Sequence, residues 1–447
     1  MFAKLEKILM PIADKLGKNE ILIAIRDGFL VSTPLIIVGS IFLLIANFPI
    51  TDWSEIVAGV FGEGWEQYFT AVSRASFDMI SVFSAFGIAY SYAKQKDVNP
   101  VAAGAVALAS FVIITTTSHD VFVNADGAGF RGLSFEALGS RGLFTAMVVS
   151  LVASAIFIAV VKRGWVIKMP DAVPPAVSAS FAALIPTAII FILFFFVRLG
   201  FALTPYDTAQ NFVYVLLQTP LAGLGKSFGF EIIYQFLSTL FWFFGVNGPA
   251  VTNTVFSPIH TLMTVENLEA FQAGKDLPNI FTGPFSDFFC NFGGAGSTLS
   301  LIILMLTTCK SQRLKQLGRL SVVPGIFGIN EPIIFGLPVV LNPIIVIPFL
   351  IVPVMNTFLA QLATMAGIIP YTTGVTLPWS TPIFISGLVA TNSIIASFFQ
   401  LGLLALGCLV YLPFIKILDK EYLREELESE NKVDELDEIS FDDIVLE

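Results

Sequence analysis

The sequence has little charge and few of the side chains that disulfides and metal sites require. Only 13% of its 447 residues are charged, against about 25% in an ordinary soluble domain. Its three cysteines share no disulfide, metal-ligand or redox spacing: Cys290, Cys309 and Cys408. Each is interpreted as a small buried hydrophobe, and a disulfide-framed secreted domain is excluded.

Histidines and nucleotide-binding motifs are equally scarce. The two histidines, His119 and His260, have no second histidine or patterned carboxylate nearby, so zinc-hydrolase spacing is absent. Both are interpreted as ordinary loop or interface residues. No Walker A, G-x-G-x-x-G or G-x-S-x-G motif occurs in a supporting context. Basic and acidic residues balance at 21 each over residues 1–418. The sequence therefore predicts no metal, no cofactor and no nucleic-acid partner.

Apolar residues take the place of the missing charge, at 55% of the chain. A helix that crosses a bilayer needs about 20 mainly apolar residues, and several runs reach or approach that length. The sequence thus predicts an all-α polytopic membrane protein surrounded by lipid, with a large-cored soluble enzyme as the alternative. The predicted spans are residues 28–48, 77–92, 101–117, 142–161, 176–203, 230–246, 337–360 and 393–415.

The charged residues predict an orientation. Basic clusters precede the first span, follow the second and the fourth, and fill residues 310–319. The positive-inside rule places all four clusters and both termini in the cytoplasm. The basic residues at 310–319 then either form a docking surface for a partner or simply reflect the cytoplasmic position of this loop.

The two ends of the chain have their own predicted structures. The N-terminal sequence lacks a signal peptide and predicts an amphipathic surface helix. Residues 419–447 hold 13 acidic and three basic residues, which predicts a disordered acidic tail.

Two segments are apolar yet too polar and too rich in glycine or proline for lipid-facing helices. They are residues 284–308 and 370–392. Irregular backbone at membrane depth needs cover from protein or a water-filled cavity, because lipid cannot satisfy its amides. Interrupted segments of this kind also point to transporter binding sites. Both are predicted re-entrant hairpins, with an extracellular loop as the alternative.

Glu331 is the most conspicuous polar residue in this apolar chain. It lies in "GINEPIIFG", where Pro332 fits the first turn of a helix. A carboxylate at membrane depth costs at least ~2.5 kcal/mol on insertion scales, which makes Glu331 a functional candidate. The alternative is a carboxylate that only begins a helix, and the two roles are compatible.

Sugar recognition suits such a setting. Amides and carboxylates exchange hydrogen bonds with hydroxyls, while aromatic rings cover the apolar face of a pyranose. Each tryptophan has an interfacial or packing role as its alternative. Besides Glu331, the candidate binding residues in the irregular regions are Asn330, Asn291, Asn247, Thr381, Trp242 and Trp379.

Five sequence blocks resemble the membrane subunit, enzyme IIC, of the lactose/cellobiose/diacetylchitobiose family of bacterial sugar phosphotransferase systems. In chain order they are MPDAVPPAVSASFAALIP (169–186), FWFFGVNG (241–248), NFGGAGSTLSLIILML (291–306), PGIFGINEPIIFGLPVVLNP (324–343) and LPWSTPIFISG (377–387).

The resemblance implies a homodimer in the bacterial cell membrane, with about ten transmembrane helices and two re-entrant hairpins per chain. Its domains would be an N-terminal dimerisation domain (1–203), a C-terminal sugar-binding domain (204–418) and the acidic cytoplasmic tail (419–447). The implied function is a permease that moves a β-linked disaccharide of the cellobiose or diacetylchitobiose type inward. The sugar would meet cytoplasmic enzyme IIB, the phosphocysteine donor. The chain would be the membrane subunit of a sugar phosphotransferase without a phosphorylated residue of its own.

The resemblance also assigns roles to individual residues. Glu331 matches the family's "NEP" glutamate, implied to hydrogen-bond sugar hydroxyls near the acceptor oxygen and thus to serve catalysis. Trp379 matches the "PW" tryptophan, implied to stack on sugar. Where the family usually reads FGIHG, this sequence reads FGVNG, so Asn247 replaces a histidine; asparagine donates and accepts but does not titrate. The alternative functions are an ion-coupled transporter with Glu331 as proton relay, and a facilitative transporter or sensor without phosphorylation.

Overall fold

The computed structural model describes residues 18–46, 52–115, 132–170, 172–337 and 344–437, together with positions 11, 15, 16, 339 and 342; His119 lies outside these. Within them all regular secondary structure is helical. The helices of the first half are α1 Glu20–Leu30, α2 Thr33–Ala46, α3 Trp53–Phe61, α4 Glu66–Phe77, α5 Ile80–Gln95, α6 Pro100–Ile114, α7 Phe135–Leu138, α8 Leu143–Lys162, α9 Pro175–Ala182 and α10 Leu184–Ala202, with a 3₁₀ turn at Ser140–Gly142.

The second half mixes long helices with short, broken ones. They are α11 Ala209–Val213, α12 Thr219–Gly225, α13 Phe228–Phe243, α14 Gly248–Gln272, α15 Gly283–Phe285, α16 Leu299–Thr307, α17 Gln312–Ile326, α18 Glu331–Gly336, α19 Val346–Met365, α20 Ile385–Thr391 and α21 Ile394–Asp437, with π turns at Tyr214–Gln218 and Ser286–Cys290.

Five helical stretches of the described residues are long and apolar enough to cross a membrane: Glu20–Ala46, Ser140–Lys162, Pro175–Ala202, Val346–Met365 and Ile394–Glu428. Two shorter apolar helices, α6 and α13, overlap the predicted spans 101–117 and 230–246. For the described residues, the predicted all-helical class with several apolar helices is therefore confirmed. The figure of about ten spans stays a prediction.

Small residues let the helices of the first half approach closely. A Cβ atom added to Gly87 on α5 would lie 2.5 Å from the backbone oxygen of Gly28 on α1. A Cβ on Gly28 would lie 2.4 Å from Cγ1 of Ile88. Close packing through small residues is the usual way in which helices associate in membranes, where apolar burial between them gains little.

Close packing at a glycine also joins α13 to α14 in the second half. A Cβ atom on Gly248 would lie 1.7 Å from the backbone oxygen of Ser238, so only glycine fits there. One turn further along α14, the hydroxyls of Thr252 and Ser238 are 2.6 Å apart. This tight antiparallel corner holds the two helices that form one wall of the site described below.

The first irregular segment is buried, and its backbone is satisfied by side chains. Asn356 of α19 donates through Nδ2 to the backbone oxygen of Cys290 at 3.1 Å and to Oγ of Ser297 at 3.0 Å. The same Ser297 hydroxyl accepts from the backbone N–H of Phe292 at 2.9 Å. A break in the helix survives here because neighbouring protein replaces the missing backbone bonds.

The second irregular segment is held in the same way. Asn267 of α14 donates to the backbone oxygen of Thr372 at 2.8 Å. Gln400 of α21 accepts from the backbone N–H groups of Phe384 at 2.9 Å and Gly387 at 3.1 Å. The predicted irregular, protein-covered character of both segments is confirmed. Their depth in a bilayer stays a prediction.

One predicted span begins too early. The span 337–360 corresponds to α19, which starts only at Val346. Asn342 forms a turn just before this start, where its Oδ1 accepts from the backbone N–H groups of Ile344 at 2.9 Å and Ile345 at 3.2 Å. Averaged hydropathy does not register such a turn, because the turn depends on one polar side chain.

The prediction of a disordered tail is wrong for residues 419–437, which continue α21. Asp419 accepts from the backbone N–H groups of Lys310 and Ser311, both at 2.8 Å. Glu426 accepts from the Ser311 hydroxyl at 2.7 Å and from the backbone N–H of Arg313 at 2.9 Å. Acidic residues of the supposed tail therefore cap the start of the basic helix α17, where negative charge is favourable.

Candidate functional site

A cavity of about 420 Å³ lies in the second half, between α13, the start of α14 and the two irregular segments. It is lined by all seven residues selected from the sequence: Glu331, Asn330, Asn247, Trp379, Trp242, Asn291 and Thr381. Other polar residues on its wall are Tyr234, Gln235, Ser238, Asn253, Ser286, Asp287 and Ser386. The fold thus brings together groups that are far apart in sequence.

Glu331 faces the cavity from the first residue of α18, and its side chain is exposed there. Pro332 occupies the first turn, where its missing N–H costs nothing. Within the described part of the chain the carboxylate has no hydrogen-bond partner. Glu331 therefore both begins a helix and offers a carboxylate to the cavity.

Asn330, next to Glu331 in sequence, anchors the start of α18. Its Nδ2 donates to the backbone oxygen of Ala295 at 2.8 Å, which ties the start of α18 to the glycine-rich loop 293–296. Gly294 in that loop has φ +91°, and a Cβ atom there would lie 2.7 Å from Cγ of Asn330. The glycine is therefore required both by backbone conformation and by the closeness of Asn330.

Asn247 is the N-cap residue of α14. Its Oδ1 accepts from the backbone N–H of Ala250 at 3.0 Å, a role for which asparagine is well suited. The side chain is exposed to the cavity, and capping occupies its oxygen. The group left for a ligand is the Nδ2 donor.

The two tryptophans differ in their surroundings. Trp379 is 61% exposed, and its ring lies against Gly328, whose added Cβ would meet Cε3 and Cζ3 at 3.4 Å. Trp242 is only 6% exposed and packs in the core beside Ile333. Trp379 thus presents a ring face to the cavity, whereas Trp242 mainly supports the wall.

The cavity has a negative electrostatic character. Among the lining residues that the structure describes, Glu331 and Asp287 are acidic and none is Lys, Arg or His. The Thr381 hydroxyl donates to the backbone oxygen of Pro378 at 2.6 Å, which leaves its oxygen as an acceptor. Such a wall suits a neutral ligand rich in hydroxyl donors and disfavours anions.

Comparisons with known proteins identify the family. A family model described as "Phosphotransferase system, EIIC" matches residues 26–353. The lichenan permease IIC component of Bacillus subtilis (strain 168) is 39% identical over 94% of this chain and 94% of its own length. The cellobiose-specific EIIC component of Geobacillus stearothermophilus is 39% identical over 94% of this chain and 95% of its own.

This chain belongs to the EIIC family of phosphotransferase systems.

The fold of this EIIC also matches a solved structure. The crystal structure of ChbC, the IIC component of the N,N'-diacetylchitobiose-specific phosphotransferase system, aligns with a TM-score of 0.90 and 39% identity. The alignment covers 94% of this chain and 99% of ChbC. The chain is thus the membrane permease component of a sugar phosphotransferase system, a component that handles the sugar and works with EIIB.

Sequence reasoning missed a buried polar cluster beside the cavity of this EIIC. His260, interpreted above as a loop or interface residue, is buried inside α14, with its Nε2 2.7 Å from Oε2 of Glu231. Glu231 on α13 is completely buried. A signal was present in the sequence, because Glu231 begins the apolar stretch FEIIYQFLS with a glutamine one helical turn later.

A second, smaller cavity of about 190 Å³ adjoins the first. It lies between α1 and the second half of the chain and is bordered by Arg26 and His260. The residues common to both cavities are Tyr234, Asn253, Ser286, Asp287 and Phe288. Tyr234 donates through its hydroxyl to Oδ1 of Asn253 at 2.7 Å, so this pair forms part of the partition.

Proposed function

We propose that this EIIC binds a β-linked disaccharide of the cellobiose or diacetylchitobiose type in the 420 Å³ cavity and carries it inward. The observation that supports this most is the composition of the wall, which combines an accessible tryptophan, five amide side chains and the Glu331 carboxylate. The volume falls within the range of about 300–1,000 Å³ that is usual for small-molecule sites.

The chemistry of the wall favours an uncharged sugar. Carboxylates and amide oxygens accept from hydroxyls, Asn247 Nδ2 donates, and the Trp379 ring can cover an apolar ring face. The relatives named for cellobiose, lichenan and oligo-beta-mannoside, each 38–39% identical, support a β-linked oligosaccharide in particular.

We extend the proposal to phosphorylation of the sugar. In this proposal the sugar hydroxyl oxygen attacks the phosphorus of the EIIB phosphocysteine, the S–P bond breaks, and Glu331 takes the hydroxyl proton. The product then carries a phosphate in a cavity that contains Glu331 and Asp287 and no described basic side chain. Repulsion from the Asp287 carboxylate, and from Glu331 once it has passed the proton to solvent, promotes release of the sugar phosphate.

The division of labour along the chain is part of the proposal. We assign residues 1–203 to dimerisation, residues 204–418 to sugar binding, and both termini to the cytoplasm. In support, one core cluster draws almost entirely on the first half and two others entirely on the second. The apolar stretch Pro175–Ala202 is only 17% buried within the chain, which leaves a surface for lipid or a second copy.

Uptake into vesicles tests the proposed function. Purified protein is reconstituted with or without phosphorylated EIIB inside, and labelled cellobiose, diacetylchitobiose and lactose are supplied outside. We expect sugar phosphate to accumulate only when phosphorylated EIIB is present. Equal accumulation of unmodified sugar in both preparations would instead identify a facilitative carrier, and pH changes linked to sugar entry would identify an ion-coupled one.

A further inference from the structure

The buried carboxylate of Glu231 has three close hydrogen-bond partners, and the Cys290 thiol is a fourth, longer one at 4.0 Å. Its Oε2 pairs with Nε2 of His260 at 2.7 Å. Its Oε1 accepts from Nε2 of Gln235 at 2.7 Å and from Oγ of Ser286 at 2.6 Å. A carboxylate buried in an apolar helix is costly unless it is fully paired. The pairing here is extensive, yet helix packing alone does not require a charge at this position.

An ionised carboxylate only accepts hydrogen bonds, and this determines the direction of the next bonds. Gln235 must turn its NH₂ group toward Glu231, and the same group also donates to Ser286 at 2.9 Å. Oε1 of Gln235 is thereby directed to Asn291, from whose Nδ2 it accepts at 2.6 Å. The two ends of an amide have nearly the same shape, so hydrogen bonding decides which end points where.

The chain of bonds ends at the cavity. Asn291 lines it, and because Nδ2 is turned toward Gln235, the acceptor Oδ1 is at the other end of the amide. This oxygen is buried and has no hydrogen-bond partner among the described residues. A buried acceptor without a donor is unfavourable, and a ligand that brings a donor removes that cost.

We propose that Glu231 is a positioning residue that sets the hydrogen-bond polarity of the cavity wall, so that Asn291 offers its carbonyl oxygen to a donating sugar hydroxyl. This inference rests on the proposed function, that the cavity binds a sugar. Glu231 itself does not touch the ligand. It acts through Gln235, while His260 and Ser286 hold it in place.

Sugar analogues show directly whether the cavity wall accepts a hydrogen bond from a given sugar hydroxyl. Cellobiose in which one hydroxyl is replaced by fluorine keeps a weak acceptor at that position but loses the donor. Binding of the parent and of each monofluoro analogue is measured by titration calorimetry on the purified full-length protein. For the hydroxyl that donates to Asn291 we expect about a 10-fold loss of affinity, the ordinary effect of one lost hydrogen bond to an acceptor left buried.

Variants then test whether the effect runs through the hydrogen bonds from Glu231 to Gln235 and Asn291. Asn291→Ala should abolish the loss at one hydroxyl and thereby mark it. Glu231→Gln has nearly the same shape but allows either end to face Gln235, so the loss at that same hydroxyl should shrink to about twofold or less. His260→Gln keeps a donor toward Glu231 and should retain the wild-type profile. Asn356→Ala removes a buried amide that supports the same hairpin outside the cavity, and it should lower thermal stability without changing the profile.

The outcomes separate this inference from the function on which it rests. If no sugar binds the wild-type protein, the proposed function fails. If sugar binds and Glu231→Gln keeps the full loss at the hydroxyl marked by Asn291→Ala, the polarity role of Glu231 is overturned. Should Glu231→Gln fail to fold, Gln235→Met cuts the same chain of bonds with little change in volume. An unchanged profile in that variant would equally overturn the inference.

Discussion

Replacement of Gly294 by alanine tests whether the glycine-rich loop positions the "NEP" segment. Gly294 has φ +91°, and its added Cβ would lie 2.7 Å from Cγ of Asn330 and 2.7 Å from the backbone oxygen of Gly328. Real Cβ atoms essentially never approach other atoms that closely. The alanine therefore forces Asn330 away from the loop in addition to straining the backbone.

Gly274 provides a matched control, because it has φ +63° and open space around its added Cβ. Gly274→Ala should cost only the left-handed backbone penalty, about 1–2 kcal/mol. Gly294→Ala should cost a further ~0.5–1.5 kcal/mol, since the 2.8 Å bond from Asn330 to Ala295 is lost or stretched. Because Glu331 follows Asn330 directly, sugar affinity should fall about 10-fold in Gly294→Ala alone.

Thermal unfolding in detergent and titration with cellobiose measure the two effects on both variants. The expected pattern is a modest loss of stability for Gly274→Ala, a larger one for Gly294→Ala, and weaker sugar binding only in the latter. If folded Gly294→Ala bound cellobiose as tightly as the wild type, the loop would not position Glu331 and the reasoning would be refuted.

Three further predictions concern the site and the acidic end of α21. Glu331→Gln should weaken cellobiose binding about 10- to 100-fold by titration while leaving the unfolding temperature unchanged, since no described partner is lost; unchanged affinity would reduce Glu331 to a helix start. Trp379→Ala should weaken binding about 10-fold through loss of the ring face, whereas Trp379→Phe should retain most of it; equal losses in both would contradict stacking. Asp419→Ala should lower the unfolding temperature by leaving the backbone N–H groups of Lys310 and Ser311 unpaired, with sugar affinity unchanged. Glu428→Ala on the same helix, whose side chain is 64% exposed, is its control and should have little effect.

Local sequence patterns predicted some helix boundaries better than others. Residues that break or begin helices act through their nearest neighbours, so Pro332 and Glu331 already indicated the start of α18. The boundary of α19 was predicted less well. Its start follows a turn made by the single polar residue Asn342 within an apolar stretch, which averaged hydropathy does not resolve.

Contacts between segments that are far apart in the chain could not be predicted from the sequence. Asp419 and Glu426 looked like part of a solvated acidic tail, yet they cap the start of α17 more than 100 positions earlier in the chain. Composition measures only the net charge of such a segment. Whether a carboxylate meets solvent or a backbone N–H depends on which helix ends lie beside it.

The sequence by itself determined the membrane class, the two irregular segments, the family resemblance and the selection of Glu331 as a candidate, because apolar length, helix breakers and an isolated carboxylate are all local features. Only the tertiary structure decided that Glu231 pairs with His260, that Trp242 packs in the core while Trp379 faces the cavity, and that Asn247 spends its oxygen on a helix cap. These depend on the packing of α13, α14 and the two irregular segments against one another. Burial and hydrogen-bond direction are properties of that packing, since a side chain's partners come from whatever the fold places beside it.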